Sequence, residues 1–394
     1  MFIDLTPDQK ALQNEIRSYF SALVSEEDAY ALLFDRHGPL AHRIVRQLGE
    51  DGWLGVGWPK EFGGRGFGPL EQQIFESEAV RFSIPLSSVT LQTVGPTLLR
   101  YGTEEQKQRF LPGILRGEIE FAIGYTEPDS GTDLFSLTTI ARQQPDGSYL
   151  VNGQKTYTTG GHTADYIWLA ARTGTPESRH RGLSILIVDT TDPGFTCTPI
   201  ISFDGAHHTN ATYYQDVRVP ASMLVGEENQ GVKYLISQLN HERVMLSPSG
   251  RIAAIYDLIH KWVVAQQLTD RPDVREGLAE IQSVLRLNTI LNWRVVASTG
   301  PDGPSQADAA ASKVFHTTRV QRIARIAEDI LYAYGDATEP HTAKTLKALD
   351  IHAKRNVVIT FGGGVNEVMR DMVSEVGLGL PKVSRSPSID SRAG

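Results

Sequence analysis

Apolar positions recur at helical spacing near the start of the chain and again over its last third, with a different texture between. Thr6-Pro7-Asp8-Gln9 reads as a capping box with proline at the first helical position, after which Leu12, Ile16, Phe20 and Leu23 keep one face apolar. Thr103-Glu104-Glu105-Gln106 repeats the signal before another helix. From Phe121 the pattern changes to short β-like runs. "YIWLAAR" and "LSILIVD" read as buried strands, and Asp146-Gly147 and Asn152-Gly153 both read as tight turns, the second as a two-residue hairpin. Beyond Glu227 the helical period returns, starting with "GVKYLISQLNHERVMLSPSGR". The expected fold class is α+β, in the order helical, β, helical. Residues 1–120 form an N-terminal helical domain, 121–227 a compact antiparallel barrel or sandwich, and 228–382 a C-terminal helical domain. The polar stretch 383–394 is expected to be a frayed tail.

In the first helix of the last segment, Val232, Leu235, Ile236 and Leu239 form an apolar stripe. At about 100° per residue Arg243 falls near its middle and Glu242 at its edge. A charged group there is either paired, emerging into water, or a carboxylate facing a water-poor pocket, where its pKa rises and it can act as a base. Two polar loops could complete such a pocket: "GYTEPDSGTD" (124–133), rich in hydroxyls, and "KTYTTGG" (155–161), with an aromatic ring between threonines. Near the C-terminus, "VVITFGGGVNEVMR" sets three glycines between an apolar β-like run and a helix start. No Lys-Ser or Lys-Thr follows, and the glycine spacing is not that of a dinucleotide fingerprint.

Composition narrows the classes. The chain has 394 residues, long enough for two or three packed units. With 38 basic and 46 acidic residues its net charge is −8, which argues against nucleic acid or an anionic membrane as main partner. The single Cys197 excludes an internal disulfide framework and a cysteine-based zinc site, and the adjacent His207-His208 pair reads as structural, so no metal is expected. No signal-peptide pattern or long apolar span occurs, and the default setting is cytoplasmic.

Taken together and in order, "GYTEPDSGTD", "VNGQKTYTTGGHTADYIWLAAR", "VRVPASMLVGEENQGVKYL" and "GGGVNEVMRDMVSEVGLGLP" resemble the signatures of acyl-CoA dehydrogenases along nearly the whole chain. The resemblance implies the acyl-CoA dehydrogenase-like fold, FAD, a CoA thioester substrate and an electron-transfer flavoprotein as acceptor. Carried over by motif, Ile123, Tyr125, Thr126 and Thr132 should lie along the flavin and its pyrophosphate, and Tyr157 and Thr159 beside the isoalloxazine ring. Many relatives carry a catalytic glutamate in the C-terminal loop. Alignment on Asn366-Glu367 puts Gly363 at that position, so the usual base is missing. In the isovaleryl-type branch the base sits on the helix after the β-domain, just before an arginine, and Glu242-Arg243 matches that arrangement. The resemblance therefore implies Glu242 as base, with Arg243, Gly363 and Gly364 on the substrate side and a backbone N–H of the glycine loop left to polarise the thioester oxygen.

The motifs with which homotetrameric relatives hold a neighbour's FAD are not kept in "DRPDVREGLAEIQSVL" and "LYAYGDATEP". That combination resembles the base-bearing subunit of actinobacterial heterotetrameric acyl-CoA dehydrogenases of steroid side-chain degradation, in particular the subunit acting on the three-carbon side chain. The expected partner is a second acyl-CoA dehydrogenase-like subunit. The competing expectations are an isovaleryl-type homotetramer, a non-catalytic partner subunit, and an oxygen-using flavoenzyme on the same fold.

Overall fold

A computed structural model describes residues 4–245, 247–298 and 305–382; the expected tail 383–394 lies outside the described residues. Six helices open the chain: α1 (Pro7–Leu23), α2 (Glu26–Leu32), α3 (Pro39–Glu50), α4 (Pro69–Arg81), α5 (Gly95–Tyr101) and α6 (Glu104–Leu115). Both expected capping boxes form: Thr6 and Thr103 each accept from the amide three residues on, while Gln9 and Gln106 reach back. Leu12, Ile16 and Phe20 are the buried positions of α1. A π-helical turn, Val89–Val94, runs directly into α5.

Eight strands follow: β1 (Phe121–Gly124), β2 (Ile140–Gln143), β3 (Tyr149–Thr159), β4 (Tyr166–Arg172), β5 (Leu183–Asp189), β6 (Phe195–Ile201), β7 (His207–Val219) and β8 (Leu224–Val225). They form one sheet in the order β6-β7-β3-β2-β4-β5-β8, and β1 pairs with β4. Its neighbours are antiparallel except at β4, which β1 and β2 join in parallel. The two turn expectations part here. Asp146-Gly147 does turn β2 into β3, closed by Gln144 N to Ser148 O at 2.7 Å. Asn152-Gly153 does not: β3 runs straight through it, and the extra residue of a bulge lies on the partner strand, where Gln215 and Asp216 of β7 face Asn152 alone. Glycine is needed because a Cβ at 153 would lie 2.5 Å from Thr139 Oγ1, and Asn152 pairs across the bulge with Asp216. The left-handed residue of the bulge is Asp216, at φ +54° on β7.

The C-terminal bundle comprises α7 (Gly231–Met245), α8 (Gly250–Ala265), α9 (Pro272–Ala297), α10 (Gln306–Tyr334), α11 (Pro340–Val358) and α12 (Asn366–Met372). Two sequence expectations are corrected. The stretch that reads as one helix from Gly231 onward is broken between α7 and α8, where Pro248 can donate no backbone hydrogen bond. The β-like run "VVIT" is the helical end of α11 and the turn after it, because helix packing against α10 outweighs its β-branched composition. One apolar core joins the N-terminal helices to the sheet, and a second fills the bundle, including Ile255, Ile259 and Trp262 of α8 and Val320 and Ile323 of α10. The π-turn packs against both β1 and α7, so the three units meet there.

Candidate active site

Strand β1 delivers the chain into the polar loop, and Ile123 is half-buried on it opposite Trp168. Tyr125 is buried and its hydroxyl donates to Gln238 Oε1 on α7. Thr126 O accepts from Thr156 N at 2.8 Å, so the two loops singled out in the sequence are bonded to one another. Glu127 is not a free acid. It accepts from Thr138 N (2.6 Å), Thr138 Oγ1 (2.7 Å), Thr139 N (2.8 Å) and Lys155 Nζ (2.8 Å). Lys155 also donates to Tyr125 O. Neither Glu127 nor Lys155 was anticipated, although the in–out alternation of β3 from Tyr149 and Val151 already turns position 155 inward.

Past Lys155 the register of β3 shifts again, and Tyr157 sits at φ +58°, a conformation that costs a non-glycine residue about 1–2 kcal/mol. The shift throws Tyr157 outward, 64% exposed, with Thr159 exposed beside it and Thr158 buried between. The hydroxyls of Thr126, Thr132 and Thr159 have no hydrogen-bond partner among the described residues. The end of β3 and the polar loop thus present a strained, exposed aromatic ring with hydroxyls unpaired among the described residues.

Residues 242 and 243 lie in the last turn of α7; their side chains are outside the described residues. The buried face of α7 differs from the apolar stripe. Ile236 is 45% exposed, whereas Gly231, Tyr234, Leu235 and Gln238 are buried. At 100° per residue, helix position 242 falls on the extension of that face and position 243 about 100° away from it, reversing the order that the stripe suggested. Immediately after α7 the chain is caught from behind: Asn288 and Asn292 of α9 both donate to Ser247 O, at 3.0 and 2.8 Å.

The glycine loop joins α11 to α12. Gly363 and Gly364 have φ of +64° and +103°, and a Cβ at 364 would lie 2.8 Å from Met369 Cε. The loop is closed by Gly362 N to Val358 O and Asn366 N to Thr360 O, both 2.9 Å, and buried Lys313 of α10 donates to Gly364 O. The amides of Gly363 and Gly364 have no acceptor among the described residues. His207 and His208 are engaged by Asn210 and by Arg355 and Asp204. Among the described residues no helix is long and apolar enough to cross a membrane.

Comparison with known proteins identifies the family. The acyl-CoA dehydrogenase N-terminal, middle and C-terminal domain families match residues 6–118, 122–217 and 229–378. Acyl-CoA dehydrogenase FadE29 of Mycobacterium tuberculosis is 59% identical, over 98% of this chain and 100% of its own. A chain of the ChsE4-ChsE5 complex from Mycobacterium tuberculosis is 41% identical at a TM-score of 0.87, covering 97% of this chain and 100% of that one. A chain of the Tcur3481-Tcur3483 steroid ACAD is 41% identical at a TM-score of 0.90, with the same coverage of 97% and 100%. The chain belongs to the acyl-CoA dehydrogenase family, flavoenzymes that bind FAD and oxidise the CH–CH bond of an acyl-CoA thioester.

Proposed function

We propose that this chain is the base-bearing subunit of a heteromeric acyl-CoA dehydrogenase acting on a steroid side-chain acyl-CoA, the three-carbon propanoyl thioester, in steroid catabolism. The carrying observation is the exchange of positions between two elements. The C-terminal loop has glycine where relatives have a carboxylate, while helix position 242 continues the buried face of α7. Glu242 takes the α-proton, with Arg243 beside it. The amides of Gly363 and Gly364 supply donors to the thioester oxygen, where negative charge develops as that proton leaves. Bound FAD supplies the acceptor for the hydride leaving the β-carbon, and the product is the α,β-enoyl thioester. Tyr157 and Thr159 offer a stacking face and a hydroxyl for the ring. Ile123, Tyr125, Thr126 and Thr132 line its approach from the polar loop. Loss of the loop carboxylate also vacates space for a bulky acyl group. The far half of the FAD site comes from a second acyl-CoA dehydrogenase-like subunit, and an electron-transfer flavoprotein removes the electrons. The steroid assignment draws support from the likeness to the steroid ACAD chain and to the two-protein ChsE4-ChsE5 complex.

The test is purification with and without a co-expressed partner subunit. Flavin retained only in the mixed complex, with dye-linked oxidation of a steroid propanoyl-CoA lost in Glu242→Gln, is the expected result. Full flavin occupancy of the lone chain favours a homotetramer, and activity surviving Glu242→Gln overturns the assignment of the base.

A further inference from the structure

Behind the glycine loop the interior carries more hydrogen-bond donors than it can use. The end of α2, the α2–α3 connection, α8 and α11 meet there: Leu33 packs with Ala348, Ile351 and Leu258, and Arg355 donates to Leu33 O. Three guanidinium groups converge on this junction. Arg355 is neutralised by Asp204 at 2.9 Å. Among the described residues Arg36 has one bond, to Ile84 O at 3.2 Å, and Arg251 in the first turn of α8 has a buried Nε with no partner. Among the described residues, no carboxylate pairs with Arg36 or Arg251. Burial, reinforced by the charges of Arg355 and Arg251, pulls Arg36 down to about 10. Burial and Arg355 do the same to Arg251, and burial with all three guanidiniums takes His352 to about 4.

One fully enclosed donor adds to the surplus, and one enclosed acceptor on α10 is also without a partner among the described residues. Asn356 Nδ2, one helical turn along α11 from His352, is a donor without an acceptor among the described residues. The acceptor on α10 is His316 Nε2. Its tautomer follows from its neighbour: Asn288 Nδ2 donates to Ser247 O, so Asn288 Oδ1 faces His316 Nδ1 and that nitrogen carries the proton. Unpaired buried polar groups cost about 1–3 kcal/mol each, and several together call for a partner that completes them, a ligand being one such partner. The junction adjoins both parts of the site along the chain. Arg251 follows α7 across the Ser247–Ser249 break, and His352 stands about 9 Å along α11 from the residue where the glycine turn begins.

Resting on the acyl-thioester reading above, we propose that Arg251 and Arg36 form a seat for a hydrogen-bond-accepting oxygen at the distal end of the acyl group. For a steroid thioester that oxygen is a ring ketone remote from the side chain. A hydrogen bond to a charged donor contributes about 1.5–3 kcal/mol, which is roughly a 10- to 100-fold preference over the same molecule lacking the oxygen.

The experiment uses the complex with its partner subunit and two matched pairs of thioesters. One is a steroid propanoyl-CoA with and without a ketone on its distal ring. The other is 7-oxo-octanoyl-CoA against octanoyl-CoA. Affinity is read from the flavin absorbance change and selectivity from kcat/KM. The expected result is a tenfold or greater preference for the steroid ketone that falls towards unity in Arg251→Met and in Arg36→Met. If the steroid pair is oxidised with no ketone preference, the oxygen seat is wrong and the steroid reading stands. If neither steroid is oxidised but the oxo-octanoyl thioester is preferred, the seat stands and the steroid reading falls. A preference that survives both substitutions overturns the assignment to these arginines. Should Arg251→Met not fold, the wild-type ratio and Arg36→Met decide.

Discussion

Lys155 Nζ lies 2.8 Å from Glu127 Oε1, with both side chains shut away from solvent. The pair fastens the first polar loop of the site to the middle of β3. Burial works to raise the Glu127 carboxyl, but the Lys155 charge and the Thr138 donors outweigh it and hold it well below the usual carboxylate range. Glu127 is therefore ionised at all working pH values and serves as an anchor, not an acid. Because Lys155 also holds Tyr125 O, a single ammonium fixes both sides of the turn.

Removing one partner should be costly. Lys155→Met leaves a buried carboxylate with no cation, an error worth about 3–5 kcal/mol. Denaturant unfolding of the complex should show that loss, and flavin should dissociate at lower denaturant than the protein unfolds. Lys155→Met combined with Glu127→Gln should cost less than the two single changes summed, since the charge left behind is gone. Strict additivity would mean that the two side chains do not act as a unit.

The bond from Tyr125 to Gln238 links the flavin-side loop to α7, one turn before position 242. Tyr125→Phe removes the one partner of Gln238 Oε1 among the described residues, while Gln238 Nε2 is already unpaired. A loss of about 1–3 kcal/mol is expected. If the link also orients the end of α7, kcat should drop while KM for the thioester changes little. An unchanged kcat with reduced stability would confine Tyr125 to a structural role.

How far the sequence discloses this arrangement depends on the range of the interaction. Capping boxes at Thr6 and Thr103 are local, and both form as read. The helical, β, helical order follows from periodicity for the same reason. Asn152-Gly153 misleads because its glycine is required by the close approach of Thr139 and its asparagine by a bulge in β7 at Asp216, both distant in sequence. The stripe on α7 misleads because hydrophobicity is only a proxy for burial. Gln238 is buried by its bond to Tyr125 while Ile236 faces out, so the inward face is rotated towards position 242. Lys155 falls on an inward position of β3, but the carboxylate that neutralises it, Glu127, is brought beside it only by the fold. The donor cluster at Arg36, Arg251 and His352 joins three distant segments and leaves no local trace.

The glycine loop should tolerate little. Gly364→Ala forces a φ of +103° on a Cβ that meets Met369, and should cost about 1–3 kcal/mol in thermal unfolding of the complex. Gly363→Glu restores a carboxylate at the position relatives use, at φ +64°. If the vacated space serves bulky substrates, this variant should lose at least tenfold in kcat/KM on a steroid thioester and less on a linear one. Equal losses on both would show that the glycine is there for the turn alone.

A buried acid without a cation sets a pH limit on the fold. Glu76 on α4 accepts from Gln72 Nε2 at 2.8 Å and from Gln92 Nε2 on the π-turn. Gln72 is in turn oriented by Gly57 N, which donates to its Oε1 at 2.7 Å. Burial raises Glu76 to about 7, with the two amide donors pulling the other way. Its folded pKa thus exceeds the ordinary carboxylate value. The stability this site contributes is complete below about pH 4.5 and declines as pH rises through 7, because only the folded state resists ionisation. Glu76→Gln keeps the oxygen that accepts both donors and cannot ionise. Relative to wild type it should gain about 1–3 kcal/mol between pH 5 and pH 8.5, since a tenfold difference in proton affinity between folded and unfolded chain is worth about 1.4 kcal/mol. Denaturant melts of both proteins across that range measure the difference directly. A difference independent of pH would mean that Glu76 is ionised in the folded chain and owes its place to a partner not among the residues that touch it here.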